Sequence, residues 1–292
     1  MKWRDARRST NVDDRRGAGP IGLGGGGMKL GLGGMAALVV VGMLFGINPL
    51  EMLGLIGQAQ QGAPATSSTG EPTAPPADDE QSQFVAAILG ETEDVWAQIF
   101  QANGSQYPTP RLVLFSGAVQ SQCGGATAAV GPFYCPVDQQ VYIDLSFFRQ
   151  MEARLGGGGD FAQAYVIAHE VGHHVQTVTG VSEKVNSVRM RGGNVEGADG
   201  LLVRQELQAD CYAGLWANMA QQRHAWLEPG DLEEALRTAS AIGDDTLQRE
   251  GQGRVVPDSF THGSAEQRVR WFRTGWESGD VKACDTFAAR TL

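Results

Sequence analysis

The chain has 292 residues, enough for one large domain or two small ones. Its formal net charge of -10 argues against a nucleic-acid partner, since a phosphate-binding surface needs an excess of Lys and Arg. Residues 1–29 are polar and carry Lys2, Arg4, Arg7, Arg8, Arg15, Arg16 and Lys29. Leu30 to Leu50 contains no charged residue, and Ala36 to Phe45 is its apolar centre. About 20 such residues span a bilayer core. After Leu50 the next basic residue is Arg111, so the positive-inside rule places residues 1–29 in the cytoplasm as a basic tail. Residues 30–50 are then a single transmembrane anchor, and everything after Glu51 is periplasmic or extracellular. A cleaved signal peptide fits less well, because no A-x-A site follows directly. Residues 51–83, rich in Pro, Ser, Thr, Ala and Gln, read as a flexible stalk that buries no core.

The folded domain is expected over 84–292. Helical spacing of apolar residues runs from Phe84 to Gln101. Arg111–Phe115 and Gln140–Leu145 are rich in β-branched and aromatic residues and read as strands, with a cysteine-bearing loop between them. A strand at Tyr142–Leu145 could be the edge that binds an extended peptide, or an ordinary core strand. Ser146–Leu155 reads as a short helix, with Gly156–Gly159 a break and Asp160 the N-cap of the next helix. Further helices are expected from Leu201 to Gln222, after a glycine-rich loop, and from Asp231 to Arg249. A small sheet with several helices makes the fold class α+β. Cys123, Cys135, Cys211 and Cys284 all follow the apolar segment, which suggests an oxidising compartment and two disulfides. Of the three connectivities, a local Cys123–Cys135 loop with a Cys211–Cys284 staple is favoured.

The chemistry is concentrated in His169-Glu170-x-x-His173. Residues four apart lie on one face of a helix, so both imidazoles can aim at one metal ion. Glu170 can then reach a water on that ion as general base. A catalytic zinc site needs a third protein ligand and one open position. Glu206-Leu-Gln-Ala-Asp210, also spaced i,i+4, supplies Glu206 as that ligand. Asp210 can accept from the non-ligating nitrogen of a ligand histidine and fix its tautomer. His262, in Thr-His-Gly-Ser, is a candidate donor to the oxyanion of a tetrahedral intermediate, or a loop histidine without that role. Arg268 is a weaker candidate for the same task, with a surface ion pair as its default. His174 points away from the His169–His173 pair.

These motifs, together with Asn11-Val-Asp-Asp-Arg-Arg-Gly17, Gly131-Pro-Phe-Tyr-Cys-Pro136, Val141-Tyr-Ile-Asp-Leu145 and Thr261-His-Gly-Ser264, resemble the bacterial family of predicted neutral zinc metallopeptidases. The resemblance runs nearly end to end except for the stalk. It implies a gluzincin-like zincin fold, one catalytic Zn2+ held by His169, His173 and Glu206, and Glu170 as the catalytic glutamate. The expected activity is hydrolysis of protein or peptide substrates by a membrane-anchored endopeptidase. A non-catalytic, zinc-stabilised module that binds peptides or envelope polymers is the alternative, and Glu170 argues against it. An intramembrane protease is excluded by the polarity of the motif helix.

Overall fold

The computed structural model describes residues 1–17, 73–155 and 159–292. The expected anchor at 30–50 and most of the expected stalk lie outside these residues. Among the described residues no helix is long and apolar enough to cross a membrane.

A four-stranded sheet carries the domain. Its strands are β1 (Val12–Asp14), β2 (Arg111–Phe115), β5 (Phe133–Cys135) and β6 (Gln140–Asp144), in the order β1-β2-β6-β5. The first three in that order are parallel, and β5 closes the edge antiparallel to β6. β2 is apolar along most of its length because both faces are covered. Alternate side chains go opposite ways. Leu112, Leu114, Val141 and Ile143 join the main core. Val113, Phe115 and Tyr142 form a second cluster with Val119, Ala126 and Cys135, under the hairpin of β3 (Ala118–Ser121) and β4 (Gly124–Thr127). A Cys123–Cys135 disulfide ties the hairpin turn to β5. Tyr142 therefore lies inside the sheet, and the free edge beside it is β5.

The folded part begins earlier than Phe84. Helix α1 (Glu80–Ala102) is capped by Asp79, which accepts from the amides of Gln81 and Ser82. Thr73 bonds to β1 through its amide and its carbonyl, 3.0 Å to Asp13 Oδ1 and 2.7 Å from the Asp14 amide. Residues 1–17, set apart as a tail on sequence grounds, pack on the same domain. Val12, Asp13 and Asp14 align with Leu112, Val113 and Leu114. Trp3 is buried edge-on against Phe84, and its indole N–H donates to Asp160 at 3.1 Å. Arg7 pairs with Glu93 and Asp94 on α1. Arg4, Arg7 and Arg16 thus face acidic partners at the head of α1 and along it, which a count of Lys and Arg cannot register.

Helices α2 (Ser146–Leu155), α3 (Asp160–Val178), α4 (Val181–Met190) and α5 (Leu201–His224) follow. Gly159, not Asp160, caps α3, and the Asp160 carboxylate is taken by Trp3 instead. The segment read as one helix from Asp231 is two, α6 (Asp231–Ala241) and α7 (Asp244–Gln252). Gly230 with φ 100° caps α6 in place of Asp231. The break at Gly243 is tight, since a Cβ there would meet the Ala265 amide at 2.3 Å. α8 (Ala265–Ser278) opens with a capping box between Ser264 and Gln267.

Small residues set how closely these helices approach. A Cβ on Gly172 of α3 would lie 3.1 Å from the Ala209 Cα on α5. A Cβ on Gly275 of α8 would meet the Cys211 carbonyl oxygen at 1.9 Å, with backbone as the obstacle. The Cys211–Cys284 disulfide closes the C-terminal segment over the same helix. Gly275→Ala must separate α8 from α5. We expect a loss of about 1–3 kcal/mol in urea unfolding, as for other overpacked cores. A melting temperature equal to that of the wild type would contradict this close packing.

Candidate metal centre

His169 and His173 lie one turn apart on α3 and face Glu206 on α5. Their ligand atoms, one per residue, fall within 4.8 Å of one another. His169 Nε2 is 3.2 Å from Glu206 Oε2, and His173 Nε2 is 3.5 Å from Glu206 Oε1. Tetrahedral zinc with bonds of about 2.0–2.1 Å separates its ligand atoms by roughly 3.3 Å. The donor set is two imidazoles and one carboxylate, and its spacing fits zinc.

Each imidazole is held from behind. His169 Nδ1 is 2.8 Å from Asp210 Oδ1, so Asp210 accepts a hydrogen bond from Nδ1–H and leaves Nε2 facing Glu206. Asp210 is fully buried and accepts three further bonds. Tyr165 donates its hydroxyl at 2.6 Å, and Arg268 donates from Nε and Nη2, both at 2.9 Å. Burial pushes the Asp210 carboxyl up, but Arg268 and His169 outweigh it and hold it at about 2. Burial likewise works against charge on His169, and Asp210 and Glu206 prevail, raising it to about 10. Glu206 is held well below the usual carboxylate range: His173 and His262 overcome its burial. The site therefore keeps both carboxylates ionised, as metal ligation and its support require.

Arg268 is thus no surface ion pair, although it forms part of the wall of the cavity onto which the candidate ligands open. It is buried and bidentate on Asp210. His173 Nδ1 lies 2.9 Å from Gln176 Oε1, a partner the sequence reading did not single out, although i+3 spacing puts it on the same face. His174 is fully buried, edge-on to Tyr107 and Tyr134 and bonded to the Tyr134 hydroxyl.

The three candidate ligands open onto a cavity of about 260 Å³, whose wall includes Glu170, His262, Phe133 and Tyr134. His262 is placed by Asp244, which sequence reading missed because it ran one helix through residues 231–249. One Asp244 oxygen accepts from the backbone amides of Thr261, His262 and Gly263 at 2.7–3.0 Å. The other is 3.4 Å from His262 Nδ1. Burial lowers the His262 affinity for a proton, but Glu206 and Asp244 raise it further. Its ring lies in the cavity wall with Nδ1 turned to Asp244. The free edge of β5 passes the same opening, so the edge strand at the site is Phe133–Cys135 rather than Tyr142–Leu145.

The family described as "Putative neutral zinc metallopeptidase" matches residues 1–287. The chain belongs to this family. Among similar proteins, the Escherichia coli (strain K12) protein YpfJ is 47% identical over 290 residues, covering 98% of this chain and 99% of its own. Mycobacterium bovis Mb2605 and Mycobacterium tuberculosis (strain H37Rv) Rv2575 are each 44% identical over 218 residues, 71% of both chains. All three relatives are described as uncharacterized. No solved structure matches.

Proposed function

We propose that this protein is a zinc-dependent endopeptidase. The observation that carries the reading is the convergence of His169, His173 and Glu206 with Glu170 on the wall of one cavity. His169, His173 and Glu206 would hold a zinc ion, which would supply a Lewis acid able to bring the pKa of a water toward about 7 and to polarise the scissile carbonyl. Glu170 takes the proton of the attacking water and delivers it to the leaving amine. His262, steadied by Asp244, donates a hydrogen bond to the oxyanion. Asp210, held by Arg268, orients His169. An extended peptide can pair with the open edge of β5, which brings its backbone past the metal ligands. The two disulfides favour a site of action outside the cytoplasm.

The test is metal analysis of the purified chain with a peptide-library digest of the wild type and Glu170→Gln. One zinc per chain and Glu170-dependent cleavage are expected. Stoichiometric zinc without such cleavage would leave a zinc-stabilised binding module in its place. His262→Ala is expected to lower kcat by about 10²–10³ with zinc content unchanged, the usual cost of one oxyanion donor. An unchanged kcat would remove His262 from the reaction.

A further inference from the structure

A buried line of amides runs from the second candidate ligand to the C-terminal disulfide. His173 Nδ1 is 2.9 Å from Gln176 Oε1. Gln176 Nε2 reaches the Gln205 backbone oxygen at 2.6 Å and Gln208 Oε1 at 3.1 Å. Gln208 Nε2 reaches the Cys284 backbone oxygen at 3.1 Å. Cys284 is bonded to Cys211, one turn beyond Gln208 on α5. Both glutamines are buried, Gln176 completely.

The direction of this line follows from what each group can do. A backbone carbonyl only accepts, so Gln208 must turn its NH2 to Cys284 and its oxygen to Gln176. The Gln205 carbonyl imposes the same choice on Gln176, whose NH2 then serves both acceptors. That leaves the Gln176 oxygen facing His173 Nδ1, where it can only accept. Nδ1 must carry a proton, and the neutral ring has its lone pair on Nε2, which faces Glu206. Reversing any member sets two acceptors against each other beside buried amides, at a cost of about 1–3 kcal/mol.

We propose that Gln176 is the positioning residue for His173: anchored by Gln205 and, through Gln208, by Cys284, it holds the ring proton on Nδ1 and reserves Nε2 for the metal. The inference rests on His173 being a zinc ligand. It gives His173 an uncharged counterpart of what Asp210 does for His169. One ligand is polarised by a carboxylate and the other by an amide chain that ends on the disulfide.

The experiment uses the full chain loaded with zinc. Zinc affinity is measured by chelator competition, and the His173 ring N–H by ¹⁵N-edited NMR. In the wild type a slowly exchanging Nδ1 proton is expected. Gln176→Met keeps the volume but removes the acceptor; zinc affinity should fall by about 10–100-fold and the ring proton should exchange fast. Gln208→Met leaves Gln176 with one anchor, and a smaller loss with intermediate exchange is expected. A wild type that binds no zinc would remove the metal-site reading and this inference with it. Tight zinc in the wild type and in both variants would overturn the inference alone. So would a zinc-loaded wild type without a protected Nδ1 proton, whether or not the variants fold.

Discussion

Glu170→Gln is expected to bind zinc as the wild type does and to lose about 10²–10⁴-fold in kcat or more. The substitution keeps the shape of the side chain, and Glu170 is not among the three groups that meet at the metal position. What disappears is a carboxylate able to hold a proton and then release it. One general acid–base group contributes about 10²–10⁴-fold, and Glu170 is asked to act at both attack and departure, so the loss should sit high in that range. The decisive comparison is zinc per chain against turnover on the same sample. Equal turnover in wild type and variant would end the assignment of Glu170. A parallel loss of zinc would mean that Glu170 supports the metal and not the proton transfer.

Arg268→Met should destabilise the domain by about 3–5 kcal/mol, the cost of breaking a buried ion pair by removing one partner. Asp210 is fully buried and Arg268 nearly so, and two of the bonds that Asp210 accepts come from that guanidinium. Without it, burial acts on the carboxyl unopposed by its main cation, and Asp210 is driven toward the neutral form. The protonated acid is then a poorer acceptor for His169 Nδ1. Stability and zinc affinity should therefore fall together. Adding Asp210→Asn to Arg268→Met removes the stranded charge and keeps an oxygen for Tyr165 and His169, so part of the stability should return. Urea unfolding of the wild type and the two variants measures this. A loss below about 1 kcal/mol for Arg268→Met would show that the pair is dispensable.

What the sequence disclosed of the site was whatever helix geometry makes local. His169 and His173 are four residues apart, as are Glu206 and Asp210, and each pair shares a face once its helix forms. That one helix should meet the other followed from the need for a third ligand. The partners joined by long-range packing stayed hidden. Arg268 lies 58 residues from Asp210, and an arginine within a polar helical run gives no sign that it will be buried. Asp244 was concealed because acidic residues in the first turn of a helix are common, while the helix break beside it depends on Gly243 fitting under Ala265. β5 is only three residues long and ends in a disulfide cysteine, so its pattern was too short to read as a strand. β1 is Val-Asp-Asp, whose composition opposes a strand; its partner β2 and the pairing of its carboxylates with Arg15 and Arg16 make it one.

The alignment of β1 with β2 bears on chain topology. Hydrogen bonds between neighbouring strands hold them about 4.8 Å apart, whereas a bilayer core is about 30 Å thick. Two paired strands therefore share one aqueous phase. A chain that crosses a membrane once between residues 17 and 73 would place Val12–Asp14 and Leu112–Leu114 on opposite sides. In that arrangement the outer edge of β2 has no neighbour, Trp3 is absent from Phe84, and Asp160 at the head of the metal helix loses its indole donor. Wherever the sheet described here is intact, residues 1–17 and the metal centre lie in the same compartment.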